Sequence, residues 1–155
     1  MSFKEVKDKN IALVTGATGG LGTAMCQKLL DDGYFVVANY RNEDTAARWH
    51  EKNLELGYDC AMVKGDVTSF DEVGEMVRSI KEKYGPVAVL INNAGITRDT
   101  PIWKMQLNQW QEVINTNLNS AFYCVRHVIE DMIAKGFGRI INISSVNGQR
   151  GQFGQ

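Results

Sequence analysis

The stretch IALVTGATGGLG, residues 11–22, decides the fold that this sequence predicts. Its first four residues are all apolar, which is typical of a central strand in a parallel sheet whose two faces are both covered. A glycine-rich turn follows, and an amphipathic helical pattern follows the turn. The predicted apolar stripe of that helix consists of Leu21, Ala24, Met25 and Leu29. The order of strand, glycine turn and helix is the first indication of an α/β fold.

Strand-length apolar runs and helical patterns alternate along the rest of the chain. The further predicted strands cover residues 35–39, 60–63, 87–91 and part of 139–144. The further predicted helices cover residues 45–56, 69–84 and about 109–135, with Ser69 and Asn108 as caps of the last two. Such alternation predicts parallel strands joined by right-handed crossovers. We therefore expect a doubly wound parallel sheet, a Rossmann fold with three α-β-α layers truncated after its fifth strand, in a single domain over residues 1–155.

Composition and charge restrict the classes of function. The formal net charge of −1 provides no basic footprint for nucleic acid. No run reaches the roughly 18 apolar residues that a membrane span needs, and residues 1–8 lack the apolar centre of a secretory signal. Cys26, Cys60 and Cys124 match neither a disulfide framework nor a zinc spacing, so we expect buried thiols and no metal. These features predict a cytoplasmic protein.

The turn after the first strand is a candidate phosphate site. Ligands of doubly wound sheets bind beyond the carboxyl ends of the strands, and glycines let helix amides approach a diphosphate closely. A glycine turn without a ligand is the alternative. The spacing Gly16-x-x-x-Gly20-x-Gly22 resembles that of the short-chain dehydrogenase/reductase family, which implies a nicotinamide dinucleotide cofactor. The predicted cofactor contacts here are Thr15, Gly16, Thr18, Gly20, Leu21 and Gly22.

The residues after the second strand favour NADP(H) over NAD(H). An NAD enzyme usually places an acid here for the ribose 2′-hydroxyl, but this chain has none before Glu43. It offers Arg41, whose guanidinium can pair with a 2′-phosphate. A solvated surface arginine is the alternative. Tyr40 is predicted either to flank the adenine or to cover the edge of the sheet.

Two further strand ends carry cofactor candidates by resemblance to the family. Asp66 and Val67 match an Asp-Val pair that contacts the adenine ring, and Asp66 is also suited to a plain turn. Asn93, Ala94 and Gly95 match a motif that stabilises the sheet and lies against the cofactor. An ordinary turn is the alternative for this motif.

The resemblance also implies two catalytic residues. Ser145 matches the serine whose hydroxyl binds the substrate carbonyl oxygen, and Ser144 is the alternative. Asn117 matches an asparagine that holds a water in the proton relay. Asparagine is unfavourable in the middle of a helix, and a helix–helix contact is the alternative role for this side chain.

Within the family, residues 92–99 and 138–155 most resemble acetoacetyl-CoA reductases of polyhydroxyalkanoate synthesis. This resemblance implies NADPH-dependent reduction of acetoacetyl-CoA to (R)-3-hydroxybutyryl-CoA, with an acyl-CoA as the small-molecule partner and a homotetramer as the assembly. The predicted substrate contacts are Asp99, Lys104, Gln152 and Phe153. Reductases of 3-oxoacyl groups on acyl carrier protein share most of these motifs and are the alternative.

One motif of the family is missing from this stretch of sequence. The family's proton donor is the tyrosine of a Tyr-x-x-x-Lys motif about a dozen residues beyond the catalytic serine, and the sequence ends at Gln155 before reaching it. We therefore expect little or no reductase activity from these 155 residues alone. A cofactor-binding fragment without chemistry of its own is the alternative class of function.

Overall fold

The computed structural model describes residues 9–155. Residues 1–8, whose sequence predicts no secretory signal, lie outside this range. Five strands are present: β1 Ile11–Val14, β2 Phe35–Tyr40, β3 Ala61–Lys64, β4 Val87–Asn92 and β5 Arg139–Asn142. β1 begins and ends as predicted, and the bounds of the others differ by a residue or two. The prediction for β3 began one residue early, because its pairing with β2 begins at Ala61 opposite Val37.

The strands form one parallel sheet in the order β3-β2-β1-β4-β5. Pairing joins β1 to β2 on one side and to β4 on the other, with all four pairings parallel. The chain runs outward from β1 to β3 and then returns to add β4 on the other side of β1. The switch point in strand order therefore lies between β1 and β4, which is where doubly wound folds bind their ligands. The predicted doubly wound parallel sheet is confirmed.

Helices connect the strands and cover both faces of the sheet. They are α1 Gly20–Asp31, α2 Glu43–Glu55, α3 Phe70–Tyr84, α4 Leu107–Ile114, a π-helical segment Asn115–Asn119, α5 Ser120–Lys135 and α6 Asn147–Arg150. α2 begins two residues earlier than predicted because Asn42 caps it, its side chain accepting a hydrogen bond from the Thr45 amide at 2.9 Å. The Ser69 cap of α3 is confirmed, since its side chain accepts from the Glu72 amide.

The predicted long helix over residues 109–135 differs from the structure at its start and in its middle. It begins at Leu107, and Asn108 is its second residue rather than its cap. The Gln109 side chain instead accepts a hydrogen bond from the Gln106 amide at 2.9 Å, which fixes the first turn around Gln106. The π-helical segment interrupts the regular hydrogen bonding, and such segments are frequent at functional sites.

Two apolar cores lie on opposite faces of the sheet. β1 contributes Ile11 and Leu13 to one core with α3 and α5, and Ala12 and Val14 to the other with α1 and α2. This alternation produces the predicted three layers. Among the helices of residues 9–155, none has the length and apolar character needed to cross a lipid bilayer.

The predicted apolar stripe of α1 is wrong in part. Leu21 is 65% exposed and Ala24 is also exposed, whereas the buried residues of this helix are Gly22 and Cys26. Close packing of Gly22 against the turn rotates the buried face by about one residue. The sequence pattern predicts a buried face from large apolar side chains, and a glycine that packs closely against the backbone has no side chain by which such a pattern could indicate its burial.

All three cysteines are buried free thiols, as predicted. Burial raises the pKa of Cys26, Cys60 and Cys124 from 9.0 to about 12. Each thiolate population at neutral pH should therefore be about a thousandfold below that of an ordinary thiol. We expect iodoacetamide to leave the native protein unmodified at neutral pH and to modify all three thiols in denaturant, as measured by intact mass. Rapid labelling of the native protein would contradict the burial described here.

Candidate functional site

A crevice with a volume of about 540 Å³ lies at the carboxyl ends of β1, β2, β3 and β4. Its position is the switch point of the sheet, as expected for a doubly wound fold. The lining includes every predicted cofactor contact except Thr15: Gly16, Thr18, Gly20, Leu21, Gly22, Tyr40, Arg41, Asp66, Val67, Asn93, Ala94 and Gly95. The structure thus brings together residues that lie almost eighty positions apart in the sequence.

The first turn of α1 faces this crevice with a glycine that protein packing does not require. α1 begins at Gly20, and Gly19 at its N-cap has no side chain with which to bond the first amides. A Cβ built on Gly20 would meet no protein atom within 4 Å. Open space beside a helix N-terminus, where unpaired amides and the positive end of the dipole lie, fits the phosphates of a dinucleotide.

Two other glycines are required by the protein itself. Gly16 has φ +60°, and a Cβ there would lie 2.9 Å from the Cα of Ala94. A Cβ on Gly22 would lie 2.5 Å from the carbonyl oxygen of Gly16. These contacts allow the turn, the β4 loop and α1 to approach one another closely. The glycine motif therefore combines packing positions with one open position.

Thr15 lies beneath the crevice rather than in it. The residue is 2% exposed, and its hydroxyl donates to the Ile91 carbonyl and accepts from the amides of Asn93 and Ala94 at 3.0 and 3.1 Å. The Asn93 side chain returns the contact by donating to the carbonyls of Thr15 and Gly16. Thr15 thus joins the ends of β1 and β4, and its predicted contact with a cofactor remains a prediction.

The side of the crevice formed by β2 and β3 is positively charged at Arg41. The Arg41 side chain is 77% exposed, and its Nη1 lies 3.9 Å from Asp66 Oδ2, which is a loose pair. The nearby Glu43 carboxylate instead accepts a hydrogen bond from Lys64 Nζ at 2.9 Å, and this bond raises the pKa of Lys64. The closest acid after β2 is thus held by another cation, and Arg41, paired only loosely with Asp66, keeps donors with which to bind an anion.

Asp66 has the turn role that the sequence allowed. Its Oδ1 accepts from the amide and the hydroxyl of Thr68 at 2.9 and 2.7 Å. This Asx turn holds the loop between β3 and α3 in place along the crevice. Val67 is 8% exposed and packs into the core below the loop while also lining the crevice.

Asn117 lies in the π-helical segment and clamps the loop after β4. Its Oδ1 accepts from the Ile96 amide and its Nδ2 donates to the Ile96 carbonyl, both at 2.9 Å. The contact is made to a loop, so the alternative of a helix–helix contact does not describe it.

Ser145 follows β5 and lines a pocket of its own with Ser144, Val146, Gly148 and Gln149. The pairing of β4 with β5 continues to this point, because the Ile143 amide donates to the Asn92 carbonyl at 2.9 Å. Ser145 Oγ accepts from the Asn147 amide at 3.2 Å. The hydroxyl proton is then free to donate to another acceptor.

The predicted substrate contacts lie in loops beside the crevice and not in it. Asp99 lines a small pocket with Asn117, and its Oδ2 accepts from Gln155 Nε2 at 3.1 Å. Phe153 lines a separate apolar pocket and packs edge-on against Trp103, with ring centroids 6.3 Å apart. Lys104 and Gln152 are exposed, and the pockets described here do not include them.

Comparison with known proteins identifies the family. A model of the family described as short chain dehydrogenase matches residues 10–155. The chain belongs to the short-chain dehydrogenase family. An acetoacetyl-CoA reductase of Allochromatium vinosum is 53% identical over 147 residues, covering 94% of this chain and 60% of that protein. An acetoacetyl-CoA reductase of Cupriavidus necator is 48% identical over 148 residues, with 95% and 60% covered.

A solved structure of a related enzyme has the same fold. The F189W actinorhodin polyketide ketoreductase, crystallised with NADPH, superposes with a TM-score of 0.90 at 34% identity. The match covers 95% of this chain and 57% of the ketoreductase. This short-chain dehydrogenase thus spans about 60% of the length of the curated relatives that it matches.

Several residues that line the crevice of this short-chain dehydrogenase are not predicted by its sequence to do so. They are Gly19, Asn39, Asn42, Thr45, Gly65, Thr68, Ile96 and Thr116. The sequence indicates a special position at Asn39, because this residue is polar and lies near the end of an otherwise apolar strand. In the structure its side chain is only 3% exposed. A buried amide needs hydrogen-bond partners, and these are found only in the folded chain.

Proposed function

We propose that this protein, at its native length, is an NADP(H)-dependent acetoacetyl-CoA reductase that forms (R)-3-hydroxybutyryl-CoA for polyhydroxybutyrate synthesis. The observation that carries the proposal is a crevice of about 540 Å³ that is lined both by an open glycine turn and by an exposed arginine. The 53% identical relative named acetoacetyl-CoA reductase supports the choice of substrate.

The residues present fit the cofactor. The first amides of α1, beside Gly20, would hold the diphosphate. Arg41 would pair with the 2′-phosphate, and the Asp66 loop would border the adenine. When bound, the reduced cofactor supplies a hydride to the ketone carbon of the substrate.

We assign the chain's own contribution to the chemistry to Ser145. Negative charge develops on the ketone oxygen as its carbon is reduced, and a hydroxyl donor aimed at that oxygen stabilises it. A general acid then protonates the oxygen to complete the hydroxyl group of the product. The Asn147 amide bonds to Ser145 Oγ and leaves the Ser145 proton for this purpose. Asn117, by holding both polar groups of the Ile96 backbone, fixes the loop that separates the crevice from the Asp99 pocket.

A substrate comparison tests the proposed function. The protein at its native length, established by intact mass, is assayed for loss of reduced-nicotinamide absorbance with acetoacetyl-CoA and with an acetoacetyl-acyl carrier protein. We expect a higher kcat/KM with acetoacetyl-CoA. A higher value with the carrier-linked substrate would identify a 3-oxoacyl-acyl carrier protein reductase. Tight NADPH binding without turnover of either substrate would identify a binding module.

Cofactor preference provides a second prediction. Arg41→Ala should raise the Kd for NADPH by about tenfold to a hundredfold, because one charged hydrogen-bond partner of the 2′-phosphate is lost. The Kd for NADH, which lacks that phosphate, should stay nearly constant. The measurement is a fluorescence titration of both nucleotides. Arg48→Ala removes an exposed arginine of α2 outside the crevice and is the matched control; an equal loss in both variants would argue against a 2′-phosphate contact at Arg41.

We also propose a homotetramer as the assembly. Exposed apolar side chains lie along three consecutive helical elements. They are Leu107 and Trp110 on α4, Leu118 on the π-helical segment and Phe122 on α5. Exposed large apolar groups along one continuous stretch of helix are typical of a surface that associates with another chain. Light scattering of the native-length protein measures the assembly directly.

A further inference from the structure

The Asn39 side chain connects the two sides of the cofactor crevice from beneath. It lies at the end of β2, the strand between β1 and β3. Its Oδ1 accepts a hydrogen bond from the Gly16 amide at 3.3 Å. Its Nδ2 donates to the Gly65 carbonyl at 3.0 Å and contacts Met76 Sδ at 3.2 Å. The main chain adds a further bond, from the Ala17 amide to the Asn39 carbonyl at 3.1 Å.

These bonds join the parts of the crevice that would bind different parts of the cofactor. Gly16 begins the glycine turn that leads to the diphosphate side, and Gly65 begins the loop on the adenine side. An amide has an acceptor and a donor at opposite corners of one planar group, so it fixes both partners at a set separation. Because Asn39 is 3% exposed, water cannot readily replace either bond.

We infer that Asn39 is a positioning residue that holds the diphosphate turn and the adenine loop at the spacing that the adenosine diphosphate half of the cofactor requires. The inference rests on the proposed function, because it takes the crevice to be the NADP(H) site. Asn39 acts through Gly16 and Gly65, and its effect is to order both halves of the crevice before the ligand arrives. Preorganisation of this kind increases affinity by lowering the cost of ordering on binding.

The inference has a distinctive consequence for ligands of different size. A dinucleotide must contact both halves of the crevice at once, and its affinity therefore depends on their separation. Adenosine 2′-monophosphate, which lacks the 5′-phosphate, would occupy mainly the side formed by Arg41 and Asp66 and needs no fixed distance to the glycine turn. Loss of the Asn39 amide should weaken the dinucleotide far more than the fragment.

Asn53 provides a matched control for the loss of a buried amide. It is also 3% exposed, its Nδ2 donates to the Trp49 carbonyl at 2.8 Å and its Oδ1 accepts from Gln27 Nε2 at 2.9 Å. It lies in α2 and does not line the crevice. Asn53→Ala should therefore lower the free energy of unfolding as Asn39→Ala does, without changing the relative affinity of the two ligands.

The experiment measures the Kd of NADPH and of adenosine 2′-monophosphate by calorimetric titration for the wild type, Asn39→Ala, Asn39→Asp and Asn53→Ala, with thermal unfolding of each. For Asn39→Ala we expect the NADPH Kd to rise about tenfold and the fragment Kd to rise no more than about twofold. Asn39→Asp keeps the acceptor for Gly16 and loses the donor to Gly65, so it should show the same selective loss. Asn53→Ala should change neither Kd by more than about twofold.

Each other outcome has a defined meaning. Equal weakening of both ligands in the Asn39 variants, or unchanged NADPH affinity, overturns the inference and leaves Asn39 as a purely structural residue. If the alanine variant does not fold, the ratio of the two Kd values in Asn39→Asp decides in the same way. A wild type that binds the fragment and NADPH equally weakly would overturn the proposed function itself, and the inference with it.

Discussion

Ser145→Ala is expected to lower kcat for acetoacetyl-CoA by about 10²–10³ in the native-length protein, the usual effect of removing one donor to a developing oxyanion. The physical reason is the arrangement at the end of β5, where the Asn147 amide bonds to Ser145 Oγ at 3.2 Å and leaves the hydroxyl proton for the substrate. Ser145 does not line the cofactor crevice, so the Kd for NADPH should stay the same. Steady-state kinetics and a nucleotide titration measure the two quantities separately.

The neighbouring serine supplies the control for this prediction. Ser144 lines the same pocket and has the same chemistry, but the resemblance to the family implies that the reactive hydroxyl is that of Ser145. Ser144→Ala should retain most of the activity. If the two substitutions reduced kcat equally, or if only Ser144→Ala did so, the assignment of the oxyanion donor would be wrong. A parallel loss of NADPH affinity in Ser145→Ala would point to a distorted sheet edge instead.

The sequence predicted the features of this fold that depend on local chemistry. The apolar run at β1, the glycine spacing and the arginine after β2 each have their meaning within a few residues. A buried parallel strand must be apolar on both faces, and a tight turn beside a helix N-terminus requires glycine. The fold class, the crevice position and most of its lining could therefore be predicted before any coordinates were known.

The features that the sequence did not reveal depend on distant partners. The bonds that the Thr15 hydroxyl makes to groups at Ile91, Asn93 and Ala94 join residues more than seventy positions apart and could not be predicted from the sequence. The role of Asn39 could not be predicted from the sequence, because Gly16 and Gly65 become its neighbours only when β1, β2 and β3 pair. The buried face of α1 was misplaced because Gly22 packs by lacking a side chain. Hydrogen-bond partners and backbone contacts across the sheet leave no periodic pattern in the sequence.

Gly20→Val is expected to raise the Kd for NADPH by at least about a hundredfold, equivalent to about 2.8 kcal/mol, while changing the free energy of unfolding very little. The two effects separate because a Cβ at this position meets no protein atom within 4 Å, yet Gly20 lines the crevice at the first turn of α1. The added side chain would stand where the diphosphate approaches the helix amides. Titration with NADPH and thermal unfolding measure the two effects on the same sample.

Two companion variants make this prediction specific. Ala24→Val adds the same side chain to the exposed face of α1 at a helix-propensity cost of at most about 0.7 kcal/mol. It should therefore lower the free energy of unfolding only slightly and leave the Kd for NADPH unchanged. Gly22→Ala should do the opposite of Gly20→Val and lower stability, because its Cβ would lie 2.5 Å from the Gly16 carbonyl oxygen. If Gly20→Val bound NADPH normally, the diphosphate could not lie against the start of α1. If it unfolded the protein while Ala24→Val did not, Gly20 would be a packing position like Gly22, and the open end of the crevice would have to be sought elsewhere.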